Sequence, residues 1–390
     1  MSNLLFDIPV PYAAVKLKPL VKWTGGKYEE FEKFRNYIPA FKNYYEPFFG
    51  GGGVFFALQP AGKSYLNDKS NDLARFYSLL ASSAFKKELF LYADAFEQAG
   101  LFSHAIIKLL AQKFTRFVHD KTGYAEMKEA VHQAVDAIEK EKYHPLFSPA
   151  LVLDTIAFTA KIKASLADKF KRIKDICAKR DMMFTPAELE EHIETGVKSG
   201  LYLFLRSILN KASLGTLQLT EEKATANWYF VREFCYASMF RINQKKEFNI
   251  PYGGIAYNSK NFRLKAEKIF APAVQKLFSK ATFYNLDFEA FLKKAAPATD
   301  DFVFLDPPYD SEFSEYDQNA FTKNDQVRLR DTLVNLQARW MLVIKETPFI
   351  RELYTQPGIY FLQFDKTYTY NVRGRNNRDT RHLIIVNYTT

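Results

Sequence analysis

Apolar and polar positions along the chain keep two different rhythms, and the rhythm changes twice. From about Leu17 to Leu80 the pattern predicts a helix over Tyr28–Tyr37, an apolar strand at Tyr44–Glu46, a glycine run, a short helix, and a second strand at Ser64–Asn67. From about Ile255 to Thr390 it predicts a helix over Leu264–Lys276 and strands at Ala281–Asn285, Phe302–Leu305 and Met341–Ile344. A terminal antiparallel pair, Tyr360–Asp365 with Leu383–Tyr388, closes the chain around a polar loop. Both stretches alternate strand and helix, as βαβ units do. Between them, from Ala81 to Gly254, strand signals vanish and helical spacing takes over. Met127, Val131, Val135 and Ile138 line one face of a predicted helix, and Thr185-Pro186-Ala187-Glu188 reads as a capping box with proline at the first helical position.

The expected organisation is therefore an α/β fold in three segments, 1–80, 81–254 and 255–390. The outer two fold together and the helical middle projects from them as an insertion. No apolar run approaches the roughly 18 residues that a membrane span needs, and the N-terminus has no basic leader, so neither a membrane nor export is expected. Two cysteines in 390 residues fit a reducing cytoplasm and provide no disulfide framework. The six histidines are scattered without a ligand pattern, so no metal is expected. The chemistry then falls to carboxylates, amides and a cofactor. A formal net charge of +10 suits a polyanionic partner such as nucleic acid.

Three segments carry candidate chemistry. The first strand runs into Glu46-Pro47-Phe48-Phe49-Gly50-Gly51-Gly52-Gly53, a strand-to-helix turn where missing side chains let backbone approach a ligand. Eighteen residues beyond Gly50, Asp68 ends the second strand, a place from which an acid hydrogen-bonds ribose hydroxyls in doubly wound sheets. Together Gly50, Gly52 and Asp68 point to an adenosine-containing cofactor; an ordinary loop is the alternative. Upstream, Lys22-Trp23-Thr24-Gly25-Gly26-Lys27 lacks the serine or threonine of a phosphate loop, yet Lys27 and nearby amides suit a carboxylate; a glycine turn packed by the tryptophan is the alternative. The most informative segment is Phe302-Val303-Phe304-Leu305-Asp306-Pro307-Pro308-Tyr309. Its strand delivers an acid, two prolines that donate no amide hydrogen, and an aromatic to the carboxyl edge of a sheet. Asp306 and the Pro307 carbonyl are acceptors for an exocyclic amine, whose lone pair they would turn toward an electrophile, and Tyr309 would stack on a base taken out of its duplex.

In their order along the chain these segments resemble the Dam-like, alpha-group DNA adenine-N6 methyltransferases. The resemblance covers about half the chain and implies a Rossmann-like methyltransferase core with an inserted, mainly helical target-recognition domain. It also implies S-adenosylmethionine as methyl donor and double-stranded DNA as partner. Residues 1–80 and 255–390 then form the catalytic core, and 81–254 the recognition insertion. By the same resemblance Trp23, Lys27, Phe48, Asp68 and Asp306 match cofactor-site positions, and Asp306-Pro307-Pro308-Tyr309 matches the catalytic motif. Asp287, ahead of Phe288, matches a position near the cofactor adenine, or else caps a helix beside a core phenylalanine.

A further match begins at Tyr236-Ala237-Ser238-Met239-Phe240-Arg241-Ile242-Asn243 and continues through Glu247 to Gly253. It implies a segment that enters DNA. Tyr236 would intercalate or pack, Arg241 would read a base or else form a surface ion pair, and Asn243, Lys245, Lys246 and Asn249, with Pro251 in the same stretch, would meet the backbone. Ala237 and Ser238 replace an Asn-Gly pair of the best-known relatives and Gly254 replaces an arginine, so their GATC target is not implied here. The basic loop 372–381, with Arg373 and Arg375, touches the DNA backbone, closes over the flipped base, or is a solvated hairpin loop. Methylation at cytosine N4 and a non-catalytic DNA-binding protein of the same fold stand as alternatives. A restriction-modification setting would add a cognate endonuclease acting on the same site without direct contact.

Overall fold

The computed structural model describes residues 15–119, 121–239, 242–308, 321–367 and 379–389. They divide into two compact units, Met1–Ser78 with Ala271–Thr390, and Leu79–Phe270. In chain order the first unit opens with α1 (Phe31–Phe34), β1 (Tyr44–Glu46), α2 (Gly53–Leu58), β2 (Ser64–Asn67) and α3 (Asn71–Ser78). The second contains α4 (Ser83–Val118), α5 (Tyr124–Ala137), α6 (Pro149–Val152), α7 (Thr155–Arg180), α8 (Pro186–Ser213), α9 (Glu221–Phe234) and α10 (Phe262–Ile269). The first unit resumes with α11 (Pro272–Phe278), β3 (Ala281–Tyr284), α12 (Phe288–Ala295), β4 (Phe302–Leu305), α13 (Lys323–Val334) and β5 (Arg339–Lys345). It ends with α14 (Pro348–Tyr354), β6 (Tyr360–Thr367) and β7 (Asp379–Val386).

The strands of the first unit form one sheet in the order β3-β2-β1-β4-β5-β7-β6. The first five run parallel, and β7 lies antiparallel to both β5 and β6. Successive residues point to opposite faces. Tyr44 therefore packs near Phe55 and Phe302 at ring separations of 6.2 and 6.3 Å, while its neighbour Tyr45 stacks on Tyr65 at 4.7 Å. Every residue of β4 is fully buried, as expected of a parallel strand covered on both faces. This is the Rossmann-like architecture expected from the sequence. The strand order reverses between β1 and β4, and in such sheets ligands bind at the carboxyl ends on either side of that reversal.

Two buried polar residues pin this part of the sheet. At its amino end, Asp301 accepts from the backbone and side-chain amides of Asn43 at 3.1 and 2.9 Å, from the Tyr45 hydroxyl at 3.1 Å and from the Ala298 amide at 3.0 Å. At its carboxyl end, Asn67 donates to the Pro47 and Leu286 carbonyls at 2.9 and 3.0 Å and accepts from the Leu286 amide at 2.9 Å. Three chain segments are thereby held in fixed register where a ligand would sit.

Several boundaries differ from the sequence pattern for definable reasons. The helix expected over Tyr28–Tyr37 is only α1 followed by a 3-10 turn at Arg35–Tyr37. The helix expected over Leu264–Lys276 is two, because Pro272 cannot continue the first and instead starts α11. Ile138 falls just outside α5, whose Met127, Val131 and Val135 are buried. The Thr185–Glu188 capping box is present at the start of α8. Residues 255–270 lie in the second unit. There Phe262 packs on Phe230 and Phe234 at 5.2 and 5.7 Å, and Arg263 pairs with Asp94 and Glu97 of α4.

Candidate active site

The carboxyl edge around the strand reversal gathers acids from three strands. Glu46 ends β1, Asp68 follows β2 and Asp306 follows β4. Glu46 is buried and accepts from the Tyr44 hydroxyl at 2.8 Å. Burial pushes its carboxyl well above the usual carboxylate range, and the charges of Asp306 and Asp68 push in the same direction. Asp68 is also raised, chiefly by desolvation, against the pull of backbone hydrogen bonds. Those bonds define its local role: Oδ2 accepts from the Gly50 amide and Oδ1 from the Ser70 amide, each at 2.8 Å. The carboxylate thus ties the glycine turn to the end of β2.

Close packing explains the glycines of that turn. Gly50 has φ +52°, and a Cβ there would lie 2.9 Å from Cδ1 of Trp23. Gly52, at φ +70°, faces the Phe49 ring and caps α2. Trp23 therefore covers the turn, with Lys27 a few residues on. The Lys27 ammonium, almost completely buried, donates to Oδ1 of Asp306 at 2.5 Å and to the Gly25 carbonyl at 2.9 Å. A buried ion pair is favourable only with such supporting hydrogen bonds, and this one fixes the acid at the head of the Asp-Pro-Pro segment. Pro307 is buried and Pro308 exposed. Tyr309 lies outside the described residues.

Trp23, Lys27, Gly50, Gly52, Asp68, Asp306 and Pro307 are thus brought to one edge of the sheet. Phe48 packs between Phe288 and Phe321 at 5.5 and 5.6 Å. Asp287 caps α12 by accepting from the Glu289 amide at 3.0 Å and pairs with Arg328 at 2.9 Å, so its helix-capping role is realised. Sequence reasoning did not single out Glu46, although an acid ending a strand beside a glycine turn was a usable signal. It also missed Gln326 of α13, which is fully buried and donates from Nε2 to the Pro308 carbonyl at 3.2 Å. A glutamine in a polar helix gave no sign of that contact.

The second group of predicted residues lies on a loop of the second unit, between α9 and α10. Isolated bridges join Cys235 to Tyr252 and Ile242 to Phe248, so the loop is a loose hairpin. Tyr236 is 49% exposed at its base. Ala237 and Ser238 beside it both have φ +53°, a left-handed conformation that disfavours side chains and that Asn-Gly would adopt readily. Lys245, Asn249 and Pro251 are exposed. Asn243 instead builds the tip: its Oδ1 accepts from the Lys245 and Glu247 amides, both at 2.9 Å, and its Nδ2 donates to Glu247 at 3.3 Å. Its side chain organises the turn that presents the lysines. Arg241, Arg373 and Arg375 lie outside the described residues.

A mostly parallel sheet with a glycine turn, acids closing three strands and Asp-Pro-Pro at the strand reversal defines a Rossmann-like methyltransferase. The model of the D12 class N6 adenine-specific DNA methyltransferase family matches residues 23–192 and 166–370, and the chain belongs to that family of enzymes. Three relatives match along nearly their whole length. The Type II methyltransferase M.CviBI of Paramecium bursaria Chlorella virus NC1A is 23% identical over 377 residues, 95% of this chain and 100% of the relative. The Type II methyltransferase M1.LlaDCHI of Lactococcus lactis subsp. cremoris is 23% identical over 384 residues, 96% of each chain. A DNA adenine methylase of Vibrio cholerae is 21% identical over 374 residues, 93% of this chain and 94% of the relative.

Proposed function

We propose that the protein is a site-specific enzyme that methylates N6 of an adenine extruded from duplex DNA, with S-adenosylmethionine as donor. The observation that carries this reading is the Lys27–Asp306 ion pair, which fixes the acid beside the Pro307 carbonyl at the strand reversal. The donor fits the residues at that edge. Each oxygen of Asp68 accepts one backbone N–H, and a carboxylate has further lone pairs for ribose hydroxyls. Trp23 and Phe48 offer aromatic surface, Asp68 and Asp306 offer negative charge to a cation, and Glu46 adds to it once ionised. When bound, S-adenosylmethionine supplies a methyl group on positively charged sulfur.

The part of this chain is to hold and direct the amine. The N6 lone pair of adenine is delocalised into the ring until acceptors take its two hydrogens. Asp306 and the Pro307 carbonyl are those acceptors, and Tyr309 supports the extruded base by stacking. The proton that N6 sheds on gaining a methyl group passes to the Asp306 carboxylate or to water beside it. The loop at 236–251 meets DNA through Tyr236, Arg241, Lys245, Asn249 and Pro251, and Arg373 and Arg375 approach the backbone. Three relatives bear the name Type II methyltransferase, which supports a DNA-marking role; that role is placed in the cytoplasm, with any cognate endonuclease acting on the same site without contact. The test is Asp306→Ala: nucleoside mass spectrometry of incubated DNA is expected to show N6-methyladenine lost by at least about a hundredfold while DNA binding persists. Wild-type turnover in that variant refutes the role, and N4-methylcytosine as sole product refutes the base.

A further inference from the structure

Part of the hydrogen bonding of the hairpin of the second unit comes from α8. At the bridge between Ile242 and Phe248, the Asn243 amide donates across the hairpin to the Glu247 carbonyl at 2.9 Å, and the N–H and C=O of Phe248 both face outward. They are taken by Asn210 of α8. Its Oδ1 accepts from the Phe248 amide at 2.9 Å and its Nδ2 donates to the Phe248 carbonyl at 3.1 Å, the two bonds that a neighbouring strand would make.

One turn earlier on the same helix, Arg206 donates to the Ile250 carbonyl at 2.8 Å, and another turn earlier the buried Tyr202 hydroxyl donates to that carbonyl at 2.8 Å. Residues four apart share a helix face, so Tyr202, Arg206 and Asn210 form a ladder along α8. The same face continues toward the start of the helix. Lys198 donates to the Asn258 backbone carbonyl at 2.8 Å and the Thr195 hydroxyl accepts from the Asn258 side-chain Nδ2 at 2.9 Å, which fixes the chain where it leaves the hairpin.

We propose that this ladder sets the attitude of the reading loop, and that Asn210, Tyr202 and Arg206 are positioning residues for DNA-sequence discrimination. The inference rests on the reading that the 236–251 loop meets DNA. A base-reading hydrogen bond fails beyond about 3.2 Å or below about 120°, so a small tilt of the loop removes it. Contacts of lysines with phosphates tolerate the same tilt and carry no sequence information. A loosened ladder therefore costs selectivity before it costs affinity or chemistry. If α8 acted only as structural support, its variants would lower stability and leave site choice alone.

The experiment uses the full chain and an unmethylated plasmid. Long-read mapping of N6-methyladenine at limiting enzyme gives the ratio of modification at the preferred sequence to that at sites one base pair away. Asn210→Ala, and separately the double variant Tyr202→Phe/Arg206→Met, are expected to lower this ratio about tenfold, within the range that one mismatched base pair commands. The transfer rate at saturating DNA should stay within about twofold of wild type, because the reacting groups are untouched. The double variant preserves side-chain bulk and decides the matter if Asn210→Ala does not fold. Lys245→Glu/Lys246→Glu is the control for the loop itself. If it weakens DNA binding while both ladder variants keep the wild-type ratio, the inference is wrong and the reading of the loop stands. If it leaves DNA binding unchanged, the loop does not meet DNA and both fall.

Discussion

Glu46 sits where its charge is penalised. It is buried at the end of β1, hydrogen-bonded to Tyr44, with Asp68 and Asp306 near enough to repel it. A carboxyl whose folded-state pKa lies above its unfolded value stabilises the fold fully below the unfolded pKa, about 4.3, and loses that contribution as pH rises through the raised value. Stability is therefore expected to fall with rising pH over that window. Glu46→Gln, which keeps the shape and cannot ionise, should flatten the trend, as denaturant unfolding across a pH series would report. A slope unchanged by the substitution would locate the titration elsewhere. The same carboxyl offers a counter-charge to a cationic donor, so donor affinity in the wild type should climb as Glu46 ionises. At this scale the sequence was legible wherever chemistry and local pattern coincide: Lys27, Asp68 and Asp306 stand out because glycines, prolines and apolar runs frame them. Gln326 was illegible because its partner, the Pro308 carbonyl, is a backbone atom 18 positions away that no pattern marks.

Elements were legible to the extent that their signals are local. The four apolar residues of β4 and the capping box of α8 announce themselves within a few positions. What the helices support does not. The ladder on α8 consists of polar residues, and a polar helix face reads from sequence as one turned to solvent, although here it grips a loop some 40 positions ahead. The pin at the amino end of the sheet is more remote still, since Asp301 meets Asn43 and Tyr45 across more than 250 residues. That pin joins β1 to β4, the paired strands at which the strand order reverses. Asp301→Ala leaves an amide, a hydroxyl and two backbone N–H groups without their buried acceptor. Unsatisfied buried donors cost about 1–3 kcal/mol each where they stay dry, so a loss of roughly 3 kcal/mol is expected after partial rehydration. Chemical denaturation measures it directly. A loss below about 0.5 kcal/mol, as for ordinary surface changes, would show that the pin contributes little.

Across the whole molecule the charge is uneven in purpose. A formal excess of +10 accompanies three acids, Glu46, Asp68 and Asp306, at the carboxyl edge of the sheet, so the positive charge that meets DNA must lie elsewhere, on exposed side chains. Lys245 and Lys246 at the hairpin tip are such side chains, held out by a turn that Asn243 builds. Each phosphate neutralised releases bound counterions, and the logarithm of the binding constant falls with the logarithm of salt by about 0.9 per contact. Binding to a fluorescent duplex between roughly 50 and 200 mM salt should therefore weaken steeply, and Lys245→Ala/Lys246→Ala should reduce the slope by about 2 if both lysines touch phosphate. The substitution is expected to weaken binding alike on preferred and unrelated sequences, because phosphate contacts are blind to bases. A variant that kept the wild-type slope would take the hairpin tip off the DNA backbone. One that weakened only the preferred sequence would make these lysines readers of bases instead.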